Sequence, residues 1–556
     1  MSAEQPEAPS SGVRIMPGRR GHPTALVMGE DGIETCLHSL YDPIREAGSF
    51  VAGPVDAAVL VFLGTGLGYH LPRSLANNPH VNRVILVERH PELAELAAAR
   101  LCQGWNGRIE VVTPSTPGGG FPPVPEALDA AALYVVPHPP SLRAHPAWYD
   151  HYRILLATVG RTGPAADRTQ AAGRPLTILV PFEAYYVQRE CIHGLESLGH
   201  RVVVLDCRGR EGDEASLFGE ALRGERPDLV LSINMRGLDR RGVAAQMLRR
   251  LGIPLALWFV DSPEFILYGE ALPPADGCHV FLWEKSYLPA VAAQGYRVSY
   301  LPLAADVRLA GAARVEERFS AGLSFVGNSL ASGFLARLAV KFPVTAQVMA
   351  FAGEAVERII AARGDQLQLV DQLVAEGGRF LPDDDARLFF RAYLLHSATS
   401  AYRTRLLGQL LPLGLTFFGD PDGWRKVFGS AIDARPDVNY FRETPAVYAS
   451  SAVNVNATSL QMPHTVNQRV FDVPLCGGFL LTDRQGALGE LFAENEVALY
   501  DGISDVAETA RCYLEREGLR REIAERARRR VLGEHTYGHR MRKMIAEVLG
   551  AAARPA

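Results

Sequence analysis

The sequence predicts an α/β chain made of parallel-sheet units in succession, and two observations carry that expectation. Short apolar, β-branched runs bounded by glycine alternate with stretches of helical periodicity, as strands buried on both faces by crossover helices do. The alternation also restarts after segments of linker or loop composition, so that 556 residues divide into units of ordinary domain size.

Taken in order, residues 1–20 lack periodicity and begin acidic and Pro/Ser-rich, and a disordered tail is expected there. Over 21–172, strands are expected at Ala57–Leu63, Val81–Glu88, Ile109–Thr113 and Leu133–Pro137, with a Gly/Pro-rich loop at Pro114–Pro125. The stretch Thr162–Arg174 has linker composition and sets the boundary. The second unit, 173–320, has strands at Leu176–Val180, Arg201–Asp206, Asp228–Ile233, Leu255–Val260, His279–Trp283 and Val298–Leu301. Its helix Val187–Leu198 is apolar near 3.6 spacing and stops at Gly199. The third unit, 321–556, starts at Leu323–Val326 and is interrupted by a helical insertion at about 331–412. It resumes with Leu415–Phe418, Val453–Asn456, Phe479–Thr482 and Val497–Tyr500, and closes with helices at about 503–516, 517–533 and 537–551. The chain therefore reads as tandem Rossmann-like units plus a helical insertion.

Composition narrows the function. With 57 basic against 62 acidic residues the net charge is −5, which gives no overall field for nucleic acid. Only Lys285, Lys341, Lys426 and Lys543 are lysine, and the arginine-rich balance fits coding bias better than phosphate recognition. The seven cysteines are scattered without a C-x-x-C pair, which argues against a disulfide framework and a zinc site. No apolar run approaches the roughly 20 residues that span a bilayer. The expected location is the cytoplasm, with a peripheral position at the inner membrane face as the alternative.

The front unit carries Gly64-Thr-Gly66-Leu-Gly68 between a strand and a helix, with Glu88 ending the next strand. Glycines there admit a ligand to the backbone, and the acid could hold a ribose hydroxyl. The spacing is nearer an S-adenosylmethionine loop than a dinucleotide loop, although Phe62 stands where methyltransferases of that class carry an acid. Gly64, Gly66, Gly68 and Glu88 are thus a possible ligand set, or a turn needed only for tight packing.

The most informative stretch is Ala452–Phe492. A strand ends at Asn456, a polar loop follows, a helix carries Arg469, Phe471 and Asp472, and Gly477-Gly478 precedes a strand ending at Thr482-Asp483. His464 and Asp472, eight apart, bracket two turns, and a helix N-terminus with Arg469 beside it suits a diphosphate.

Asn467 to Asp483, Leu488 to Phe492 and the late His535-Thr-Tyr-Gly-His-Arg540 resemble the C-terminal half of GT-B glycosyltransferases of the spore maturation protein CgeB-like group. The resemblance covers roughly 175–545, and it implies that two of the Rossmann-like units form a GT-B enzyme. Related enzymes place two glutamates eight residues apart around the donor; the second falls on Asp472, while the first falls on His464, a departure from a carboxylate. What the resemblance implies for the donor is Asp472 on ribose or sugar hydroxyls, Thr465 and Arg469 on the diphosphate, and Asp483 or Glu490 on the sugar side. Asn467, Gly477 and Gly478 belong to the same run, and Gly327-Asn328 resembles the opening turn of the donor half. The front unit more loosely resembles motility accessory factors that glycosylate flagellin, through Gly66-Leu-Gly68-Tyr69-His70.

Trp258-Phe-Val-Asp261-Ser-Pro263 ends a strand, where open α/β sheets place catalytic groups, so Asp261 could act as base or could cap the following helix. Asp261 and His464 are the expected catalytic residues. The D-x-D at Asp383–Asp385 precedes an amphipathic run, and helix capping explains it better than a metal. The sequence thus predicts a metal-independent glycosyltransferase without a cofactor, taking a nucleotide-sugar as substrate and a protein, possibly flagellin-like, or cell-surface glycan as acceptor. Its rivals are a methyltransferase with glycan-binding domains and a non-catalytic nucleotide- or glycan-binding module.

Overall fold

The computed structural model describes residues 12–115, 121–125, 133–157, 174–210, 214–224, 226–268, 273, 275–329, 333–362 and 366–550. It opens on an antiparallel ribbon of β1 (Val13–Pro17), β2 (Pro23–Met28) and β3 (Glu34–Cys36). This corrects the expectation of disorder over 13–20: Val13 pairs with Val27, and Arg14 holds Glu34 at 2.7 Å. The strand was illegible because little of it beyond Val13 is buried, so it shows no apolar alternation. Residues 1–11 of the expected tail and almost all of the linker stretch lie outside the described residues.

Three parallel sheets follow. The first joins β4 (Val59–Leu63), β5 (Arg83–Val87), β6 (Arg108–Val112) and β7 (Leu133–Pro137) in the order β6-β5-β4-β7. The second joins β8 (Thr177–Phe182), β9 (Arg201–Asp206), β10 (Leu229–Ile233), β11 (Leu255–Phe259), β12 (Cys278–Leu282) and β13 (Arg297–Tyr300) in the order β13-β12-β11-β10-β8-β9. The third joins β14 (Ala321–Val326), β15 (Leu415–Phe418), β16 (Asp433–Arg435), β17 (Ser451–Asn456), β18 (Leu480–Asp483) and β19 (Ala498–Tyr500) in the order β16-β15-β14-β17-β18-β19. Strands β4, β10, β11 and β12 are buried at every residue, as helix-covered parallel strands must be. The fold is α/β, with Rossmann-like units in tandem.

The insertion between β14 and β15 carries helices Phe334–Ala339, Ala346–Ala361, Gln366–Glu376 and Asp384–Gly408. Asp383 caps the last of these by accepting from Ala386 N at 2.8 Å, and Asp385 accepts from the Tyr268 hydroxyl at 2.6 Å. The acidic run is therefore spent on a helix start and on a contact with the second unit.

The second and third sheets meet by their C-terminal edges. Glu284, just past β12, accepts from His464 N at 3.1 Å, and His464 lies in the loop after β17. Lys285 pairs with Glu490 at 2.6 Å, and Tyr300 at the end of β13 reaches the Thr465 hydroxyl at 3.2 Å. The late His-Thr-Tyr-x-His-Arg run secures this junction from the other side. Thr536 and His539 form a capping box, and Arg540 donates to the carbonyls of Pro302 and Leu303 at 2.8 and 3.0 Å. The helix Tyr537–Leu549 then packs on Gln188–Ser197, where Gly194 is required: a Cβ there would sit 3.0 Å from the Tyr537 carbonyl carbon.

Candidate functional site

In an open parallel sheet, chain connections diverge at one point, and the crevice beyond the strand ends is left uncovered there. That point lies between β8 and β10 in the second sheet and between β14 and β17 in the third. Both open onto the junction.

On the second-unit side the Asp261 carboxylate follows β11. Its Oδ2 accepts from Tyr185 Oη at 2.5 Å and from Asn234 Nδ2 at 2.8 Å, while Oδ1 accepts from none of the described residues. The N-cap position of the helix Pro263–Ile266 is Ser262, without a side-chain cap, and the Asp261 carboxylate bonds to Tyr185 and Asn234 and does not cap the helix. Burial raises its pKa, and burial together with the Asp261 charge lifts the Tyr185 phenol to about 12. Four residues without glycine's freedom stand in the left-handed region on these loops: Ala184 (φ 60°), Val187 (60°), Asn234 (50°) and Met235 (57°). Each costs of order 1 kcal/mol, a strain that collects at functional loops.

On the third-unit side Arg469 is central. Its Nε donates to Val326 O at 2.7 Å and its Nη1 to Asn456 Oδ1 at 2.9 Å. Asn467 donates to the same Asn456 oxygen at 2.8 Å, and its own Oδ1 is buried without a partner among the described residues. Gly327 (φ 153°) has a backbone conformation that favours glycine, and a Cβ there would stand 2.7 Å from Arg469 Nη2. Exposed Asn328 offers its carbonyl to Arg403 at 3.1 Å. Arg403 comes from the insertion helix and was not singled out in the sequence. The Arg403 and Arg469 guanidiniums lie 5.6 and 5.2 Å from the Phe325 ring centre. Burial and the Arg469 charge pull Arg403 down to about 9. Two like charges held together at a strand-end crevice favour an anion strongly.

Other expected residues fall elsewhere. Thr465 is buried and reaches only Tyr300. Asp483 is buried and committed to Thr458 N at 3.1 Å, Thr458 Oγ1 at 2.8 Å and Gln485 at 3.0 Å. Glu490 is exposed and ion-paired across the junction. Gly477 and Gly478 precede β18, at the sheet edge opposite the crevice, which corrects their assignment to the donor. There Gly477 (φ 77°) ends a helix, and Gly478 lets the chain pass the Tyr448 carbonyl, 2.6 Å from where a Cβ would be.

Asp472 is buried to 1% exposure, with its Oδ2 accepting from Tyr440 Oη at 2.8 Å. Gln468 links Tyr440 to Tyr537 of the returning helix. Burial drives the Asp472 pKa well above the carboxylate range, with nearby Glu190 and Asp306 adding to it, and Glu190 itself is raised to about 7 by burial. Asp472 thus faces a buried network at the junction in which the Tyr440 hydroxyl stands where the resemblance implies a donor hydroxyl.

The glycine loop of the first unit also lies at a switch point, between β4 and β7, but its crevice is filled. A Cβ on Gly66 would meet His38 Nε2 at 2.4 Å, and one on Gly64 would meet Ser141 Cβ at 2.6 Å. Glu88 is fully buried, accepting from Thr65 N at 2.7 Å and Tyr149 Oη at 2.9 Å. The packing reading of Gly64, Gly66, Gly68 and Glu88 therefore displaces the ligand reading.

Residues 391–546 match the family model described as glycosyl transferase-like. This segment runs from the insertion helix to the returning helix and contains Arg403, Asn456 and Arg469. Similar solved structures include sucrose-phosphate synthase from Thermosynechococcus elongatus, at 11% identity over 68% of this chain and 100% of that one, TM-score 0.39. Anabaena HepE in complex with UDP and glucose is similar at 14% identity over 68% and 100%, TM-score 0.37. A structure described as trehalose-6-phosphate from E. coli bound with UDP-2-fluoro glucose gives 12% identity over 68% and 100%, TM-score 0.37. No curated protein sequence matches the chain. Among the described residues no helix is long and apolar enough to cross a membrane, and no group of three or more His, Cys, Asp or Glu side chains could hold a metal ion.

Proposed function

We propose that the chain is a GT-B glycosyltransferase of the CgeB-like group, moving a sugar from a nucleotide-sugar donor to a hydroxyl of a protein-borne or cell-surface glycan. The observation that carries this reading is positional. The segment matching the glycosyl transferase-like model supplies the strand-end crevice with paired guanidiniums, and that crevice belongs to the sheet edge turned toward the unit that carries Asp261.

The donor diphosphate lies against Arg469, Arg403 and the Gly327-Asn328 turn. As its bond to the sugar breaks, the leaving phosphate gains negative charge, and guanidiniums already in place stabilise it without reorganisation. Asp261 acts on the acceptor. Tyr185 and Asn234 fix Oδ2, so Oδ1 remains to take the proton of the acceptor hydroxyl as its oxygen bonds to the anomeric carbon. His464 is held by its backbone to Glu284, and that bond sets where the loop after β17 meets the second unit. No metal is assigned a role.

Isothermal titration of the full chain against a panel of nucleotide-sugars, with and without EDTA, tests the reading. Binding of at least one donor, unchanged by EDTA and lost in Arg469→Ala, is expected. Binding that requires magnesium or manganese would overturn metal independence, and failure of every donor would overturn the function.

A further inference from the structure

At the rim of the junction a cavity of about 530 Å³ is lined by Arg189, Arg308, Asn439, Phe441 and Arg442. None of these residues is hydrogen-bonded to Arg469 or Arg403. The cavity and the crevice around Arg469 are separated by Tyr440, whose neighbours Asn439 and Phe441 line the cavity while its own hydroxyl turns inward to Asp472.

Three guanidiniums bordering one cavity repel one another unless a counter-charge is present. Arg308 has one: it is tied to fully buried Asp306, and its guanidinium lies 5.2 Å from the Phe441 ring centre. Arg189 and Arg442 are exposed, and neither forms an ion pair or a side-chain hydrogen bond with the described residues. The other acids near this group are Glu190, which burial raises to about 7, Glu196, and Glu443, which accepts from Asn439 N at 2.9 Å and pairs with Arg318. The cavity thus offers two exposed guanidiniums outside any ion pair among the described residues, beside an aromatic face and an amide, in a volume that suits a small molecule. Two exposed guanidiniums match a phosphate monoester, which carries about −1.5 to −2 near neutral pH and three acceptor oxygens, better than a single carboxylate.

We propose that this cavity is a binding site for a phosphate monoester, separate from the crevice around Arg469, with Arg189 and Arg442 gripping the phosphate and Phe441 and Asn439 meeting the group that bears it. The assignment stands whether or not the chain transfers a sugar.

Calorimetric titration of the full chain with inorganic phosphate, a hexose 6-phosphate and the uncharged hexose tests it, alongside sedimentation with vesicles containing phosphatidate. The hexose 6-phosphate should bind and the hexose should not, with affinity falling as salt rises. Arg442→Ala and Arg189→Ala should each weaken it by about tenfold to a hundredfold, as loss of a charge-assisted hydrogen bond does. Vesicle binding lost in the same variants would identify a lipid headgroup as the source of the same phosphate and would equally support the site. Absence of binding to every phosphate probe, or equal binding by the variants, would overturn it. So would a parallel loss of UDP binding in Arg442→Ala, which would make the cavity part of the donor crevice.

Discussion

Replacing Asp472 by asparagine gives a test whose size follows from the structure. The carboxyl is buried, accepts from Tyr440, and has its pKa raised well above the ordinary range. A group raised in the folded state contributes stability that is complete below its unfolded pKa, about 3.9, and is lost as pH rises toward the folded value. While the folded protein keeps the proton and the unfolded chain has released it, each pH unit removes about 1.4 kcal/mol. As pH rises above the unfolded value, Asp472 should therefore cost the wild type stability that Asp472→Asn does not lose. Glu190, raised to about 7, adds a slope of the same sign that both proteins share, and Glu190→Gln in each background removes it.

The assay is urea unfolding of wild type and Asp472→Asn at pH 5, 6 and 7. The stability of the variant relative to wild type should rise with pH, since asparagine is close in shape to the protonated acid and does not titrate. Parallel pH profiles would show that Asp472 is ionised in the folded protein and would refute the buried-network reading. The functional consequence is opposite in sign to a simple loss of contact. If the Tyr440 hydroxyl occupies the place of a donor hydroxyl, Tyr440→Phe should bind nucleotide-sugar more tightly, and weaker binding would mean that the two do not compete.

Asp261→Asn should lower turnover about a hundredfold to ten-thousandfold while leaving nucleotide binding intact, which quench-flow and titration on one preparation would separate. Gly194→Ala should destabilise by about 1–3 kcal/mol, because its methyl would press on the Tyr537 and Gly538 backbone at 3.0 to 3.2 Å, and limited proteolysis should report a loosened C-terminal helix. Gly66→Ala, at φ 49° with His38 and His138 against it, should lower the melting temperature without altering nucleotide-sugar binding. A selective loss of a bound ligand in Gly66→Ala would restore the ligand reading of the front loop.

Much of the fold was legible because parallel strands buried on both faces must be apolar throughout, and runs such as Leu255–Phe259 have no other use. The ribbon β1–β3 and the edge strand β16 escaped because their stability comes from pairing partners, not from a buried face of their own. In the site, Asp261 and Arg469 could be named because a carboxylate after a strand and an arginine at a helix start carry chemistry in their positions. Arg403, Tyr440, Asn234 and Glu190 could not, since each acquires meaning only from a neighbour far along the chain. Asp472 was found for its place in a pattern, but its burial depends on Tyr440 and on the returning helix, which no local spacing reveals. The glycine loop misled for the complementary reason: its φ values are those of a ligand loop, and only His38, His138 and Ser141 decide that protein fills the space.

The late His-Thr-Tyr-x-His-Arg run shows how a specific pattern can be structural and still bear on function. The chain crosses between the second and third units twice, once forward near Pro302 and once back at Thr536. Ala305 N donates to His535 O at 2.9 Å and Tyr537 N to Ala305 O at 3.1 Å, so the two crossings are stitched to each other. Arg540, buried and lowered to about 10, adds its bonds to Pro302 and Leu303 at the same place. Away from the seam the units are joined by Lys285 with Glu490, by Glu284 with His464 and, through the insertion, by Arg391 with Glu264 and Tyr268 with Asp385. The stitched seam thereby keeps Tyr537, Gln468, Tyr440 and Asp472 in register, so a pattern that carries no chemistry of its own fixes the buried network at the junction.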